Sequence, residues 1–470
     1  MAYDTLELWG HGGPPTERLL LYSHGEYKKK HDAYSLESRA LQQCKNDIDH
    51  FYVAGKWDDY KKITNPYEYI FLSWNRRSLR SVATRQPLSR SYFKMIEMWK
   101  RADFSDYLQD LVSRDGGLVT AHSAEGPGGF IEACAVMAER NEWAFKSASA
   151  ITLQSDAKNV PGWRKASKFL TSYPQVTIHN GADKTGNILS KMNQDAFVGD
   201  VRSAYPEGVH VYTADGGFDF SNDYNAQEDM ILPLLIAEIS IGLRVLSRGG
   251  CLVIKCFDTT EQATLDLLWL TSRAFYTWGV MKPRTSRAGN AERYIIGKGF
   301  LGDAADIVEV LTAYQAAATF TRPILAPSAG PPKATIDEML ELQARIEHLE
   351  LFVIRETLDL IRHTDIAVIR YLIRQNVTRS MEWCREHEED ISRHWLEEQE
   401  RFIYREASDL QHILNPPMNY ISYSSGSNST SWRNTSTVSF DGFRSGTLLP
   451  TPPENNPFLR KGFRRVGVVV

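Results

Sequence analysis

Few cysteines, no long apolar run and almost no net charge characterise this chain of 470 residues. Its five cysteines, Cys44, Cys134, Cys251, Cys256 and Cys384, are scattered. The nearest pair, Cys251 and Cys256, falls on an expected strand at an odd offset, so the two point to opposite faces. That arrangement excludes a disulfide framework and a zinc site, and no metal is expected. No stretch is apolar for long enough to cross a bilayer. Met1 to Leu20 is broken by Asp4, Glu7, His11, Glu17 and two prolines, which denies it the apolar core of a signal peptide. The sequons at Asn376, Asn428 and Asn434 then read as chance in a reducing compartment, and a soluble intracellular protein is expected. With 54 basic against 58 acidic side chains the net charge is −4. This excludes a protein that coats nucleic acid non-specifically and confines any RNA site to a cleft.

The apolar fraction, 42%, is ordinary, and the length exceeds that of one typical domain. Residues 1–85 read as a helical extension rich in basic and aromatic side chains. It carries the run Lys28-Lys29-Lys30-His31 and a patch through Trp57, Tyr60, Lys61, Lys62, Trp74, Arg76, Arg77 and Arg80. A lid with a solvated face and an RNA contact are both open for it. Across 86–302 short β-prone runs (Leu118 to Ala121, Ala150 to Leu153, Val176 to His179, Val209 to Thr213, Cys251 to Phe257, Tyr294 to Ile296) alternate with helical stretches such as Glu228 to Leu246 and Glu261 to Phe275. That alternation predicts an α/β fold with a mostly parallel sheet and helices on both faces. Residues 303–334 read as a Pro/Ala-rich linker, and Thr335-Ile336-Asp337-Glu338 as a capping box opening a helical region to about 415. The apolar stripe of that region suggests helices that pack on one another or on a partner, leaving the catalytic core self-sufficient. Residues 416–470, rich in Ser, Thr, Asn, Gly and Pro, read as a disordered tail.

Between an apolar run, Gly117 to Ala121, and a helical one, Ile131 to Met137, stands Glu125-Gly126-Pro127-Gly128-Gly129-Phe130. A glycine turn from strand to helix lets a ligand approach the backbone and meet free N–H groups at the helix start; it is also a common tight connection. Four ionisable residues, Lys94, Asp215, Lys255 and Glu292, each lie in their own local motif.

Those motifs, Ser89-Arg90-Ser91-Tyr92-Phe93-Lys94, the glycine turn, Thr213-Ala214-Asp215-Gly216-Gly217-Phe218, Gly249 to Asp258 and Lys282 to Tyr294, resemble the FtsJ-like ribose 2′-O-methyltransferases. They are most similar to the mRNA cap-specific branch. The resemblance covers about residues 85 to 300 and implies a Rossmann-like, S-adenosylmethionine-dependent enzyme acting on the capped 5′ end of mRNA. It implies a catalytic tetrad at Lys94, Asp215, Lys255 and Glu292. It places the cofactor at Gly126, Pro127, Gly128, Gly129, Phe130 and Asp215, with Asp183 after the third strand at the adenine end. Cap or RNA contacts fall on Asn225, Ser286, Arg287 and Asn290. Asp183 and Asn225 are equally readable as turn-capping residues. Trp163, Phe220 and Tyr224 are candidates for stacking on a methylated guanine, against a core role for each. The C-terminal region matches none of the extra modules associated with the animal enzymes, which suits a viral or otherwise divergent origin. A ribosomal or transfer RNA methyltransferase and a non-catalytic RNA-binding subunit are the alternatives.

The residues themselves fit this chemistry. Methylating a ribose hydroxyl requires alignment and loss of the hydroxyl proton. Lys255 is the candidate acceptor, although making an ordinary lysine neutral at pH 7 costs about 4.6 kcal/mol. Burial and neighbouring cations lower that cost and the carboxylates raise it. If it stays protonated, it stabilises the developing oxyanion instead.

Overall fold

The computed structural model describes residues 4–396 apart from 14–18, 20, 23–30, 32–34, 53–55, 73–79, 156–159, 161, 219–226, 318–319 and 321. The expected tail at 416–470, Lys28 to Lys30, Trp74, Arg76, Arg77, Phe220, Tyr224 and Asn225 lie outside the described residues. The chain enters through a strand, β1 (Leu6–His11), followed by α1 (Ser35–Tyr52), α2 (Lys56–Thr64), a 3-10 turn at Glu68–Ile70, α3 (Ser91–Arg101) and α4 (Phe104–Asp115). Strand and helix then alternate: β2 (Leu118–Ser123), α5 (Gly129–Arg140), β3 (Phe145–Ile151), α6 (Ser167–Ser172), β4 (Val176–His179), α7 (Lys191–Ala204), β5 (Val209–Ala214), α8 (Gln227–Val245), β6 (Leu246–Cys256) and α9 (Gln262–Ser272). Two antiparallel strands, β7 (Phe275–Lys282) and β8 (Arg293–Phe300), precede α10 (Ala305–Ala317), α11 (Lys333–Arg362) and α12 (Ile366–Glu386).

The strands form one sheet in the order β1-β7-β8-β6-β5-β2-β3-β4. Its five central and outer strands from β6 to β4 pair in parallel, and β8, β7 and β1 add antiparallel ladders. β2 and β5 are buried at every position, as expected of strands covered on both faces. Along β6 the pleat sends Cys251 and Val253 into one core, with residues of α3, α4 and α5. Leu252, Ile254 and Cys256 enter a second core, with residues of α7 to α10. The odd offset of the two cysteines therefore places them on opposite faces, and all five cysteines are buried thiols. This is the expected Rossmann-like α/β architecture. Chain direction across the sheet reverses between β2 and β5, which opens a crevice at the carboxyl ends of the parallel strands. No helix among the described residues is long and apolar enough to cross a membrane.

Four expectations need correction. The N-terminal extension is not purely helical: β1 pairs with β7, Leu6 opposite Lys282, and forms the sheet edge. β7 itself falls partly in the stretch read as helix, because only Arg273 and Ala274 separate it from α9 and no turn residue marks the change of period. The 303–334 stretch holds α10, which buries Ile307, Val310 and Leu311. Beyond α10, the N–H groups of Ile324 and Leu325 donate to the buried Asp266 carboxylate at 2.9 and 3.0 Å. α11 starts at Lys333 behind Pro332, so Thr335 lies inside the helix and caps nothing.

The C-terminal helices do not stand apart. Leu351, Ile354 and Leu358 of α11 and Ile369, Ile373 and Trp383 of α12 belong to the core that also takes Leu41 and Ile48 of α1, Trp57 of α2 and Phe93 of α3. α12 is opened by Asp365, whose carboxylate accepts from the N–H groups of Ala367 and Val368. Beyond its end Glu389 accepts from Tyr92 Oη at 2.8 Å and Arg140 at 2.7 Å. α3 is thus clamped between the sheet and the C-terminal helices.

Candidate active site

β5 delivers Asp215 one residue past its end, and β6 delivers Lys255 one residue before its own. Because β8 runs antiparallel to β6, its beginning lies at the same rim: Lys255 pairs with Tyr294 and Cys256 with Arg293, with Glu292 just beyond. Lys94 comes from the first turns of α3. The structure brings the four together as two ion pairs, Lys94 Nζ to Glu292 Oε1 at 2.6 Å and Lys255 Nζ to Asp215 Oδ1 at 3.3 Å. Their side chains are 12–14% exposed. Lys255 also donates to the Asp215 carbonyl at 2.8 Å.

Burial alone would lower the Lys255 pKa. The carboxylates of Asp215, Glu292 and Glu238 outweigh it and hold the group above its ordinary value, so Lys255 rests as an ammonium. Burial alone would raise Glu292. Lys94, then Lys255, together with hydrogen bonds from Lys94 and Ser286, pull it well below the usual carboxylate range. Sequence reasoning missed Tyr294 as a member of this site. Its hydroxyl donates to Asp215 Oδ1 at 3.1 Å, and burial, then the nearby Asp215 and Glu292 charges, raise its pKa well above the ordinary value. The strand alternation could have shown it, since a residue two beyond Glu292 must stay at the same rim.

The glycine turn has a different division of labour from the one expected. A Cβ on Gly126 would come within 2.6 Å of the Gly162 carbonyl, and one on Gly129 within 2.3 Å of Ser89 Oγ and Ser91 Oγ. These two glycines let protein segments pack. Gly128 alone has a left-handed φ, +106°, where its Cβ would fill a gap lined by Trp163, Ile131 and Leu88 at 3.4–3.6 Å. Phe130 is fully buried with its ring 5.8 Å from that of Tyr294, so it supports the site from the core. Pro127 lies in the turn. Asp183 follows β4, and its Oδ1 accepts from Thr185 N at 2.9 Å, Thr185 Oγ1 at 2.7 Å and Asn193 Nδ2 at 2.8 Å, the geometry of a turn-capping aspartate.

Three of the residues named for cap contacts bond to other side chains of the protein. Ser286 Oγ donates to Glu292 Oε1 at 2.7 Å, and Asn290 Oδ1 accepts from Lys282 Nζ at 2.9 Å. Arg287 forks onto Glu68 with bonds of 3.0 and 2.9 Å. Burial would raise Glu68, but Arg90 and Arg287 hold its carboxyl at about 2. With the folded value below the ordinary 4.5, its contribution is complete above pH 4.5 and is lost as pH falls towards about 2. Arg287→Ala is therefore expected to destabilise the fold by about 3–5 kcal/mol in urea unfolding, since it leaves a buried carboxylate short of a cation. An unchanged midpoint would return Arg287 to a pure ligand contact. The rim of the site is braced by Glu97 of α3, which accepts from the N–H groups of Arg284 and Thr285 at 2.7 and 3.0 Å.

The sheet switches direction beside a glycine turn and carries charged side chains at its carboxyl rim, the arrangement of a Rossmann-like α/β domain. Residues 87–300, just under half of the chain, match the FtsJ-like methyltransferase family. The chain is 32% identical over 197 residues to "Cap-specific mRNA (nucleoside-2′-O-)-methyltransferase 1" of Drosophila melanogaster, covering 42% of this chain and 24% of that protein. Against the protein of that name from Dictyostelium discoideum it is 31% identical over 280 residues, 56% of this chain and 34% of the other. Against that of Trypanosoma cruzi (strain CL Brener) it is 31% identical over 221 residues, 46% of this chain and 57% of the other. The chain thus spans roughly a quarter to just over half the length of these relatives.

Proposed function

We propose that the protein is an mRNA cap-specific ribose 2′-O-methyltransferase that methylates the first transcribed nucleotides of capped RNA. The observation that carries this is the convergence of Lys94, Asp215, Lys255 and Glu292 at one rim of the sheet as two ion pairs. The names of the relatives support the capped substrate. S-adenosylmethionine, the donor that the family implies, supplies a methyl group on a sulfonium. The gap at Gly128 and the N-terminus of α5 behind it fit a group that approaches the backbone closely. Lys255 orients the ribose hydroxyl as an ammonium, and the minor fraction in which its amine is neutral takes the hydroxyl proton. Asp215 and Tyr294 fix the Lys255 ammonium, and the Lys94–Glu292 pair holds the far side of the reacting oxygen and keeps the site dry.

Radiolabelled methyl transfer to short capped and uncapped RNAs, followed by nuclease mapping of the modified ribose, tests the reading. Label on the first or second nucleotide of capped RNA alone is expected. Equal transfer to uncapped RNA would make the protein a general RNA methyltransferase.

Gly128→Val tests the cofactor site. A β-branched side chain at φ +106° fills the gap and strains the backbone by about 1–3 kcal/mol. Calorimetry should show S-adenosylmethionine binding lost in a protein that still melts cooperatively. Unchanged affinity would move the cofactor elsewhere.

A further inference from the structure

Lys282, the last residue of β7, is fully buried. Its Nζ donates to the Asn290 carbonyl at 2.7 Å, the Asn290 side-chain oxygen at 2.9 Å and the Glu292 carbonyl at 3.0 Å. Three acceptors match the three N–H bonds of a lysine ammonium. All of them belong to the end of the loop that joins β7 to β8, the loop whose last residue is Glu292. Ser286, from the middle of the same loop, donates to the Glu292 carboxylate at 2.7 Å.

We infer that Lys282 is a positioning residue for catalysis: it pins the 290–292 backbone so that the Glu292 carboxylate meets Lys94. This rests on the reading of Glu292 as part of the reacting site. A loop of this kind has no regular ladder to fix it, and an error of about 1 Å in a reacting group costs on the order of 100-fold in rate. A buried lysine is an expensive anchor, because an apolar residue would fill the same space without burying a donor-rich head. Burial pushes its pKa down to about 7, against the opposing pull of Glu292 on the loop and Glu350 on α11 and with the push of Arg293 on β8 and Lys94 on α3. Glu350 of α11 lines one cleft with Gly289 and Asn290 of the loop and pairs with Lys45 of α1 at 3.0 Å.

Lys282→Met keeps the length of the side chain and removes the donors. It is expected to lower kcat about 100-fold, with KM for RNA and the S-adenosylmethionine dissociation constant within about threefold of the wild type. Asn290→Ala, which removes one of the three acceptors and leaves both backbone carbonyls, should lower kcat by about tenfold with the same split. The assay uses whichever RNA, capped or uncapped, the wild-type protein methylates. A wild type that methylates neither refutes the functional reading, whereas an active wild type beside a folded Lys282→Met variant with unchanged kcat refutes the anchor. Losses confined to KM or to cofactor binding also refute it. If Lys282→Met does not fold, Asn290→Ala decides: an unchanged kcat overturns the inference.

Discussion

Lys255→Ala should abolish methyl transfer, by about 10³-fold or more, while calorimetry finds S-adenosylmethionine bound as tightly as before. The lysine bonds to Asp215, which also accepts from Tyr294, whereas the gap at Gly128 is lined by Trp163, Ile131 and Leu88, so its loss touches the hydroxyl and not the cofactor. Its raised pKa adds a second expectation. Asp215, Glu292 and Glu238 keep it charged at neutral pH, and only the neutral amine can take a proton. The rate should therefore climb about tenfold per pH unit between about pH 7 and 9 in wild type. Lys255→Arg should be inactive at every pH, because a guanidinium does not give up its proton. A flat profile with a working arginine variant would leave Lys255 as an electrostatic group and move the proton to another acceptor.

The second large effect concerns the end of the fold. A chain cut after residue 330 should fail to fold, although its FtsJ-like segment is complete. Leu351, Ile354, Leu358, Ile369, Ile373, Val377, Trp383 and Trp395 would all leave the core that carries α3. At about 1.5–3 kcal/mol for each buried side chain, the loss matches or exceeds the roughly 5–15 kcal/mol that holds a typical domain together. Circular dichroism melting and solubility check it. A truncated chain that melts cooperatively and binds the cofactor would restore a self-sufficient core with dispensable helices.

The contrast between these two expectations shows what the sequence could carry. Lys94, Asp215, Lys255 and Glu292 were legible because each lies in a local motif, and the alternation of runs gave the parallel strands β2 to β6 within a few residues. The Val176 to His179 strand was found to the residue, because Pro174 and Gly181 bracket it. β1 and β7 were missed for opposite reasons. β1 is a lone strand far from its neighbours in sequence, and β7 follows a helix with only Arg273 and Ala274 between and no Gly, Pro, Asn or Asp to mark the turn. The packing of α11 and α12 onto α1 to α3 was invisible, since an apolar stripe says that a face is covered and not by what. The glycine turn was read by composition, yet only Gly128 among its three glycines has a left-handed φ or unfilled space around it. Ser286, Arg287 and Asn290 lie in the loop that ends at Glu292, but their partners, Glu292, Glu68 and Lys282, depend on contacts that motif spacing cannot supply.

β8 lies between β6 and β7 although it follows both in the chain. As the protein emerges from the ribosome, β7 appears first, with the gap it must border still empty. Glu292 reaches Lys94 only after the last strand has threaded into that slot, and Trp383 and Trp395 seal the helix that bears Lys94 later still. Nearly two hundred residues separate the ends of the catalytic set, so the closing contacts are among the most distant in the sequence and among the slowest to form. Under the proposed function, a nascent chain therefore gains its reacting site only after almost all of the described residues have been released.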